Sequence, residues 1–598
     1  MIQLNSVLPE DVITQAKYTV TLQETLMSIE PSTIQKSFQI IFNLPLIRSY
    51  QGVKNIANNI LLAAQYRPFS LESLAELSIK LNNAGKESDD NKLNELNSVF
   101  LTIPVKILDE KWKVAFLYVA HNKGLFSDDE LFTAIKKYFN ENPILKNKPF
   151  WKNNCRQHFL FFQWFAPLFE KMDIQLYEET KNSFFECYSK RNLASNYDNY
   201  MLNFEQLREN NWQKYKELLN NHYENGSIAD IIKKDKVDEM HQMLLQMGSN
   251  SNKKSQHIQF EQRQKPDDSD KKSDVEVSPE EAQLKTIIDS RIECTMFEFV
   301  TMLSRKPTLA HFAAFCGSEK CFDFLLKHGA NLELNDYGKR NSLHFAIAGG
   351  NMNIIQKVES VVKDYKGATR IAAEYHRFEL FKMFLDTSHA NLKANNIENG
   401  SIFHGIAAAN HIKMILFCLE QGCDCNLKDG DGWTPLNCAI DFRAVESVYV
   451  ISNIFSIDIN AQDDYGIAPL IRATMNGDPD IVKLLIKHPK LEINSEGLYN
   501  QTALHRASQN NNIDIIRLLV NDPRIEVNCV DHLNRTPLHF AAQNGSIEAI
   551  QIIINHGDAN LTIKDSEEVL IFFFFNKTPF DIANDNHFKK AADLLKIN

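Results

Sequence analysis

A phrase that recurs along the second half of the chain limits its possible folds more than any other feature. It reads T-P-L-H-F-A-A-Q-N-G at residues 536–545, T-A-L-H-R-A-S-Q-N-N at 502–511 and N-S-L-H-F-A-I-A-G-G at 341–350. His311 and His344 are 33 residues apart, and His505 and His539 are 34 apart. A fixed period of this length predicts a solenoid of stacked helical pairs, which offers an extended surface to other molecules.

Nine units follow when the chain from residue 285 onward is aligned on His539, and we number them repeats one to nine. The aligned positions are His311, His344, Arg370, His404, Asn437, Ile471, His505, His539 and Asp581. The interval before Arg370 is only 26 residues, so about a hairpin is missing there. The interval before Asp581 is 42 residues, which indicates an insertion containing the apolar run 569–575. This run is open to three interpretations: a functional loop, a translated non-coding stretch or an aggregation-prone segment.

Each repeat carries local signals for two helices. Thr536 before Pro537 suits an N-cap followed by proline in the first helical position. Ala541 and Ala542 are small enough for neighbouring first helices to approach closely, and Gly545 ends the helix in a conformation that glycine adopts easily. The sequence therefore predicts a tightly stacked array in the best repeats.

The helix-ending position is less regular in the middle of the array. Most repeats place Gly or Asn there, but repeat three has His376 and repeat five has Arg443. Because larger side chains tolerate a positive φ less readily, these two repeats are expected to be strained. The middle of the array is predicted to be its weakest stacking region.

These patterns resemble the ankyrin repeat, and the resemblance covers roughly the C-terminal half of the chain. It implies a short loop, two antiparallel helices and an outward hairpin in each unit. Together with unit ends such as residues 489–494 and 523–528, it resembles the expanded ankyrin families of single-celled eukaryotes, which carry an N-terminal domain of unknown function.

The family resemblance also implies where a partner docks, namely on hairpin tips and the concave surface of the first helices. The corresponding hairpin residues are Tyr337, Lys339, Asp431, Trp433, Tyr465, His532 and Arg535, and the helix residues are Phe315, Phe442, Met475, Gln509 and Gln543. Aromatic and arginine side chains are the usual energetic centres of interfaces. Trp433 is therefore the strongest single candidate, with packing on the neighbouring hairpin as the alternative.

The remainder of the chain divides into three predicted regions. Residues 1–223 show helical periodicity without an internal repeat, and 224–247 form a possible cap for the solenoid. Residues 248–284 are polar and charged, which predicts a disordered linker before the repeats at 285–598. The aromatic-rich stretch 151–172 could line a groove, but a buried helix is the favoured interpretation. The predicted fold class is all-α throughout.

Composition and motifs exclude several classes of function. The net charge of −11 argues against general nucleic-acid binding, and no apolar run is long enough to predict a membrane span. Neither a secretory signal nor a nucleotide-binding or hydrolase motif is present. Cys418, Cys423 and Cys425, with His404 and His411 nearby, could bind zinc, but they occupy apolar positions of the repeat and are better explained as buried thiols.

The expected function is a non-enzymatic, cytoplasmic and monomeric scaffold that binds a protein partner, with no metal or cofactor. Two alternatives stay open. The N-terminal region could present clients to ubiquitination or trafficking machinery, or it could be a cryptic enzyme. The sequence does not identify the partner.

Overall fold

The computed structural model describes most of the chain, and its contacts divide into two compact bodies. The described residues are 3–87, 92–102, 111–141, 155–189, 208, 212–213, 215–216, 218–219, 226–249, 258–259, 284, 287–292, 300, 302–387, 401–566 and 577–596. The N-terminal body comprises Thr21–Ile371, and the C-terminal body comprises Met1–Val20 together with Ala372–Asn598. The N-terminal body therefore includes repeats one and two.

The region before the repeats is helical, as predicted. Its α-helices are α1 (Glu10–Met27), α2 (Ile34–Phe42), α3 (Tyr50–Tyr66), α4 (Leu71–Lys86), α5 (Leu96–Thr102), α6 (Lys111–Asn122), α7 (Asp128–Glu141), α8 (Cys155–Met172) and α9 (Ile174–Ser189). Short 3₁₀ turns lie at Leu4–Ser6, Pro31–Thr33, Pro45–Arg48, Pro68–Ser70 and Leu93–Glu95. Helices α3, α4 and α6 pack on one another, and their apolar side chains Ile56, Leu74 and Phe116 are completely buried.

Helix α8 carries the aromatic-rich stretch, and its side chains lie in the core. Phe162, Trp164 and Phe169 are fully buried, and the Phe162 ring contacts the rings of Phe169 and Tyr177. The interpretation of this stretch as a buried helix is confirmed for these residues. Trp151 and the side chain of Phe159 lie outside the described residues.

A short helical pair, α10 (Ile228–Lys233) and α11 (Val237–Ser249), precedes the repeats. Helix α10 packs against the first helix of repeat one, and α11 packs against the second. Asp235 connects the two helices with a left-handed φ of 51°. Its carboxylate accepts the backbone N–H groups of Lys320 and Cys321, at 3.3 and 2.9 Å, where the second helix of repeat one begins. The pair is thus bound to the array through both packing and hydrogen bonds.

The described residues contain nine helical pairs in the register of repeats one to nine, in which we name the first helix inner and the second outer. The inner helices are Leu309–Cys316, Ser342–Gly349, Ala368–Glu374, Ile402–Ala408, Pro435–Asp441, Pro469–Met475, Ala503–Gln509, Pro537–Gln543 and Pro579–Asp585. The outer helices are Glu319–Lys327, Met352–Val361, Phe378–Thr387, Ile412–Glu420, Val445–Ser452, Pro479–Ile486, Ile513–Val520, Ile547–Asn555 and Lys589–Leu594. Additional 3₁₀ turns lie at Leu303–Arg305 and Leu498–Asn500.

Small residues set the distance between stacked inner helices. Ala541 and Ala542 are completely buried, as the sequence pattern predicts. In the N-terminal body, a Cβ added to Gly349 would lie 2.4 Å from the carbonyl oxygen of Ala314. Only glycine therefore allows the inner helices of repeats one and two to approach this closely.

The inner helices end in the left-handed conformation, whatever residue occupies that position. Gly317, Gly350, Asn410, Gly477, Asn511 and Gly545 have positive φ, and so do His376 and Arg443, both at 55°. The two exceptional side chains make compensating bonds: His376 Nε2 donates to the carbonyl of Ala409 at 2.9 Å, and the Arg443 guanidinium donates to the carbonyl of Asn476. A non-glycine residue costs roughly 1–2 kcal/mol in this conformation, so both positions are strained.

Two expectations concern segments that are largely outside the described residues. Within the linker expected to be disordered, Ile258–Gln259 differ from the expectation, because they form a strand antiparallel to Arg291–Ile292. Residues 248 and 249 belong to α11, and the rest of that linker except Leu284 lies outside the described residues. The apolar run 569–575 also lies outside them.

Candidate functional site

The hairpin between consecutive repeats is organised by one aspartate. Asp463 Oδ1 accepts the backbone N–H groups of Tyr465 and Ile467, at 2.9 and 2.8 Å. The same pair of hydrogen bonds is accepted by three further aspartates at equivalent positions, Asp336, Asp429 and Asp531. The carboxylate satisfies donors that a tight turn leaves unpaired, which fixes the outward course of the tip.

A histidine in the inner helix joins repeats two, four, seven and eight to the start of the following repeat. The backbone N–H of Thr502 donates to His505 Nδ1 at 3.1 Å, so Nε2 carries the proton and donates to the carbonyl of Arg535 at 2.9 Å. His344, His404 and His539 make the same pair of bonds, to the carbonyls of Lys366, Trp433 and Lys577. We name this series the imidazole ladder. The histidines are thus structural, as their regular recurrence predicts.

Burial keeps these imidazoles neutral. Desolvation lowers the pKa of His505 to about 4, against an opposing contribution from its bond to the Arg535 carbonyl. It also lowers the pKa of His344, His404 and His539. Because a protonated Nδ1 could not accept the capping N–H, the ladder requires the neutral form.

The imidazole ladder is interrupted on both sides of repeat six. Asn437 holds the histidine position in repeat five; it is completely buried, and neither amide atom has a hydrogen-bond partner among the described residues. Ile471 holds the position in repeat six, and its side chain has no hydrogen-bonding group. The carbonyls of Ile467 and Gln501 therefore receive no bond from the preceding inner helix. Among the described residues, repeats two, four, seven and eight make this bond to the following repeat, whereas repeats five and six are two successive units without it.

Arg472 stands at the first interruption and partly substitutes for the missing bond. Its guanidinium donates to Asp463 and to Asp441, and its central carbon lies 3.9 Å from the centre of the Trp433 ring. Cation–π contacts of this kind stabilise by about 0.5–2 kcal/mol. One face of the Trp433 indole is consequently occupied by the next inner helix rather than by the neighbouring hairpin.

The hairpin tip of repeat seven differs from the others. Gly497 replaces the organising aspartate, and the turn Leu498–Asn500 follows, with Tyr499 and Asn500 both in the left-handed region at 62° and 57°. The Tyr499 ring stands against that of His532, with centroids 4.9 Å apart. A left-handed tyrosine is uncommon and strained. In this conformation the aromatic side chain of Tyr499 is exposed at the tip.

Several large apolar side chains are exposed in repeats five to seven, and four of them come from the inner-helix side or from the tips of successive repeats. Phe442 is 67% exposed and Met475 42%, and both belong to the inner-helix side of the array. Tyr465 is 62% exposed and Tyr499 55%, and both belong to hairpin tips. We name these four the tip–helix surface. Phe442, Met475 and Tyr465 were predicted from the sequence, whereas Tyr499 was missed, although it lies one 34-residue period after Tyr465.

The other candidates within the C-terminal body have varied environments. Asp431, Gln509, Gln543 and His532 are exposed. Arg535 is half-buried, because its guanidinium pairs with Asp531 at 2.8 Å and covers the ring of Phe540. Arg535 and Trp433 are thus held by intramolecular contacts, while the exposed residues remain candidates for partner binding.

The candidates in the N-terminal body include one correction. Tyr337 and Lys339 are exposed at the hairpin tip, where the Arg291 guanidinium lies 5.0 Å from the Tyr337 ring centre. Phe315, in contrast, is only 4% exposed, and its ring makes an edge contact with Phe69 from the 3₁₀ turn before α4. The prediction that Phe315 is a surface residue is wrong, because an N-terminal side chain already covers it.

The three cysteines that could bind zinc according to the sequence are buried in the apolar interior. Cys418, Cys423 and Cys425 are all inaccessible. A bond to Cys423, together with desolvation, raises the pKa of the Cys418 thiol, and desolvation raises that of Cys425. Thiols held protonated in this way are poor metal ligands and poor nucleophiles. Within the described ranges, no group of three or more His, Cys, Asp or Glu side chains is placed to hold a metal ion.

Among the helices that the structure describes, none combines the length and the apolar character that a membrane span needs.

Several segments of this chain are similar to known proteins. Family models described as ankyrin repeats match residues 308–358, 370–463, 447–531 and 533–566. The SMC5-SMC6 complex localization factor protein 1 of Homo sapiens is 33% identical over 100 residues, and that of Bos taurus is 32% identical over the same length. The alignment covers 16% of this chain and 9% of each relative, so the chain spans only a small part of their length.

The chain is also similar to a solved structure. The ankyrin repeat domain of human ASB11 is 23% identical, with a TM-score of 0.33, over 38% of this chain and 98% of that domain. Ankyrin repeats indicate a protein–protein interaction module. The matched segments of this chain are therefore ankyrin repeats, and a helical region precedes them.

Proposed function

We propose that the chain is a non-enzymatic scaffold that binds a protein partner on the tip–helix surface of repeats five to seven. The observation that carries this proposal is a coincidence of two features in the same three repeats. The imidazole ladder is interrupted there, at Asn437 and Ile471, and the exposed Phe442, Met475, Tyr465 and Tyr499 are concentrated there.

Exposure of large apolar side chains to water carries a cost in free energy. A large side chain held in water forgoes about 25 cal/mol for each Å² of apolar surface that burial would remove. Single exposed apolar residues are common, but neighbouring ones on successive repeats are typical of interaction sites. The strained left-handed Tyr499 supports the same surface, because strain at an exposed position is often associated with function.

The tip–helix surface can be tested by using the protein to capture its partners from an extract of the source cells. We expect Phe442→Ser with Met475→Ser to reduce recovery of the captured partner by about tenfold or more, since central apolar contacts typically dominate affinity. Quantitative mass spectrometry measures the recovery.

The matched control replaces an exposed aromatic and an exposed aliphatic residue outside the surface. Phe455 follows the outer helix of repeat five and is 58% exposed, and Ile547 begins the outer helix of repeat eight. Phe455→Ser with Ile547→Ser should leave recovery unchanged. Equal losses in the two double variants, or none in either, would reject the proposed surface, provided that both variants unfold at the wild-type denaturant concentration.

A further inference from the structure

The tip–helix surface consists of two rows of apolar side chains. Phe442 and Met475 come from the inner-helix side of repeats five and six, and Tyr465 and Tyr499 come from the tips of repeats six and seven. We propose that the segment bound between these rows is a basic, proline-rich stretch in the polyproline II conformation. This inference rests on the proposed function and adds the chemical class of the partner.

The spacing of the rows supports an occupant with three residues per turn. Tips of successive repeats are joined by backbone hydrogen bonds, such as the Asp464 N–H to the Asp431 carbonyl at 3.2 Å. Hydrogen-bonded backbones lie about 4.8 Å apart, and each hairpin contributes two of them, giving a rise of roughly 9.6 Å per repeat. A polyproline II helix presents the same face every three residues, about 9.3 Å apart. One face of such a helix can therefore meet equivalent side chains on consecutive repeats.

Other regular conformations match this spacing less well. A β-strand presents the same face every two residues, roughly 6.7 Å apart. An α-helix rises about 5.4 Å per turn, so only alternate turns would align with the repeats. Neither conformation lets each successive turn of the ligand face one repeat.

The side chains of the surface suit proline recognition chemically. Proline-rich segments bind grooves lined by aromatic residues, because the ligand is already extended and loses little entropy. Tyr465 and Tyr499 offer flat apolar rings with a terminal hydroxyl, and such rings combine packing with hydrogen bonding to ligand carbonyls. The polyproline II backbone has no internal hydrogen bonds, so its carbonyls are available as acceptors.

The charge of the surface favours a basic segment. Asp431 and Asp464 are exposed at the tips of repeats five and six, and Asp441 is exposed at the end of the inner helix of repeat five. The adjacent Arg472 is largely buried, and its guanidinium pairs with Asp463 and Asp441. Arginine or lysine side chains on the ligand would meet the carboxylates of Asp431 and Asp464 along the hairpin tips, and this attraction should weaken with added salt.

The test measures binding of labelled synthetic peptides to the full-length protein by fluorescence anisotropy. The first peptide repeats a Pro-Pro-Arg unit over about 28 Å, the length of three repeats. The second replaces proline by glycine and serine at the same charge, and the third replaces arginine by glutamate. We expect the first peptide to bind at least about tenfold more tightly than either of the others.

Variants assign this binding to the surface. Tyr465→Ala with Tyr499→Ala should weaken binding of the first peptide by about tenfold or more, while Phe455→Ala should not change it. Asp431→Asn with Asp464→Asn should weaken it and flatten its dependence on salt. Circular dichroism and denaturant unfolding confirm that each variant is folded.

The outcomes separate this inference from the proposed function. Equal affinity for the proline and glycine-serine peptides, or no binding of either, would overturn the polyproline assignment. If Phe442→Ser with Met475→Ser still abolished capture of the cellular partner, the interaction surface would stand with a ligand of another conformation, such as an α-helix. Tight binding of the first peptide that survives the tyrosine substitutions would also overturn the assignment.

Discussion

At the scale of the residue, the main feature of this chain is a buried imidazole that makes one hydrogen bond through each ring nitrogen. His505 accepts from its own helix start through Nδ1 and donates to the following repeat through Nε2. One side chain therefore both caps a helix and links two repeats, which explains why the same residue type recurs at a fixed interval. The function of these histidines depends on the neutral form, and this makes the array sensitive to acid.

The sign of the pH effect follows from the direction of the shift. Burial lowers the pKa of His505 to about 4 from a usual value of 6.5, so the unfolded chain binds more protons between these values. The stabilisation is complete above about pH 6.5 and is lost as the pH falls towards 4. We expect His505→Asn to reduce the difference in free energy of unfolding between pH 7 and pH 4.5 by about 2 kcal/mol.

Urea unfolding at both pH values checks this prediction. His587→Asn provides the control, because His587 is exposed beyond the last inner helix and lies outside the ladder. An unchanged pH dependence in His505→Asn would show that the imidazole ladder does not set the acid sensitivity.

At the scale of the element, the helical pair α10–α11 behaves like a repeat. Asp235 occupies the left-handed corner between its helices and accepts two N–H groups where the next outer helix begins. Asn410, the left-handed residue of repeat four, makes the equivalent bond to the N–H of Ser447 at 2.9 Å. We therefore propose that this pair caps the array, as its position before the linker suggested.

The cap can be tested at Asp235. We expect Asp235→Ala to lower the free energy of unfolding of the N-terminal body by about 1–2 kcal/mol, because two helix-start donors lose their acceptor. Asp235→Asn should retain most of the stability, since its amide oxygen accepts and asparagine tolerates positive φ. Gln242→Ala, on the exposed side of α11, serves as the control. Equal stability of the Ala and Asn variants would contradict the capping role.

At the scale of the whole molecule, the stacking bonds of the repeats are not uniform. Stability in a repeat array is roughly a sum of terms from each unit and each neighbouring interface. The interfaces on both sides of repeat six lack the imidazole bond, and one contains the buried amide of Asn437, for which the described part of the chain offers no hydrogen-bond partner. Repeats five to seven should therefore open before their neighbours, as the irregular middle of the sequence predicts.

Asn437→His should repair the first of these interfaces. The new imidazole would reach the Ile467 carbonyl as His404 reaches that of Trp433, and we expect a gain of about 1 kcal/mol. Hydrogen exchange followed by mass spectrometry should show slower exchange in repeats five and six. Asn510→His, on an exposed position of repeat seven, should change neither quantity. Faster exchange in Asn437→His would contradict the assignment of Asn437 as a weak point.

The sequence by itself determined the helical repeats, their period and their left-handed corners. These are local properties: a threonine before a proline, paired alanines and a glycine at a fixed interval act within a few residues of themselves. It also located Phe442, Met475 and Tyr465 on the surface, because a repeat assigns each register position a known face.

Only the tertiary structure decided which of the candidates are available to a partner. Phe315 lies in an inner helix and Phe442 directly follows one, yet Phe69 covers the first, while the second is largely exposed. Arg472 stacks on Trp433 through a contact between residues 39 apart in the chain, which no local pattern indicates. The physical reason is that burial depends on neighbours brought together by folding, whereas the period of a repeat is a property of the chain itself.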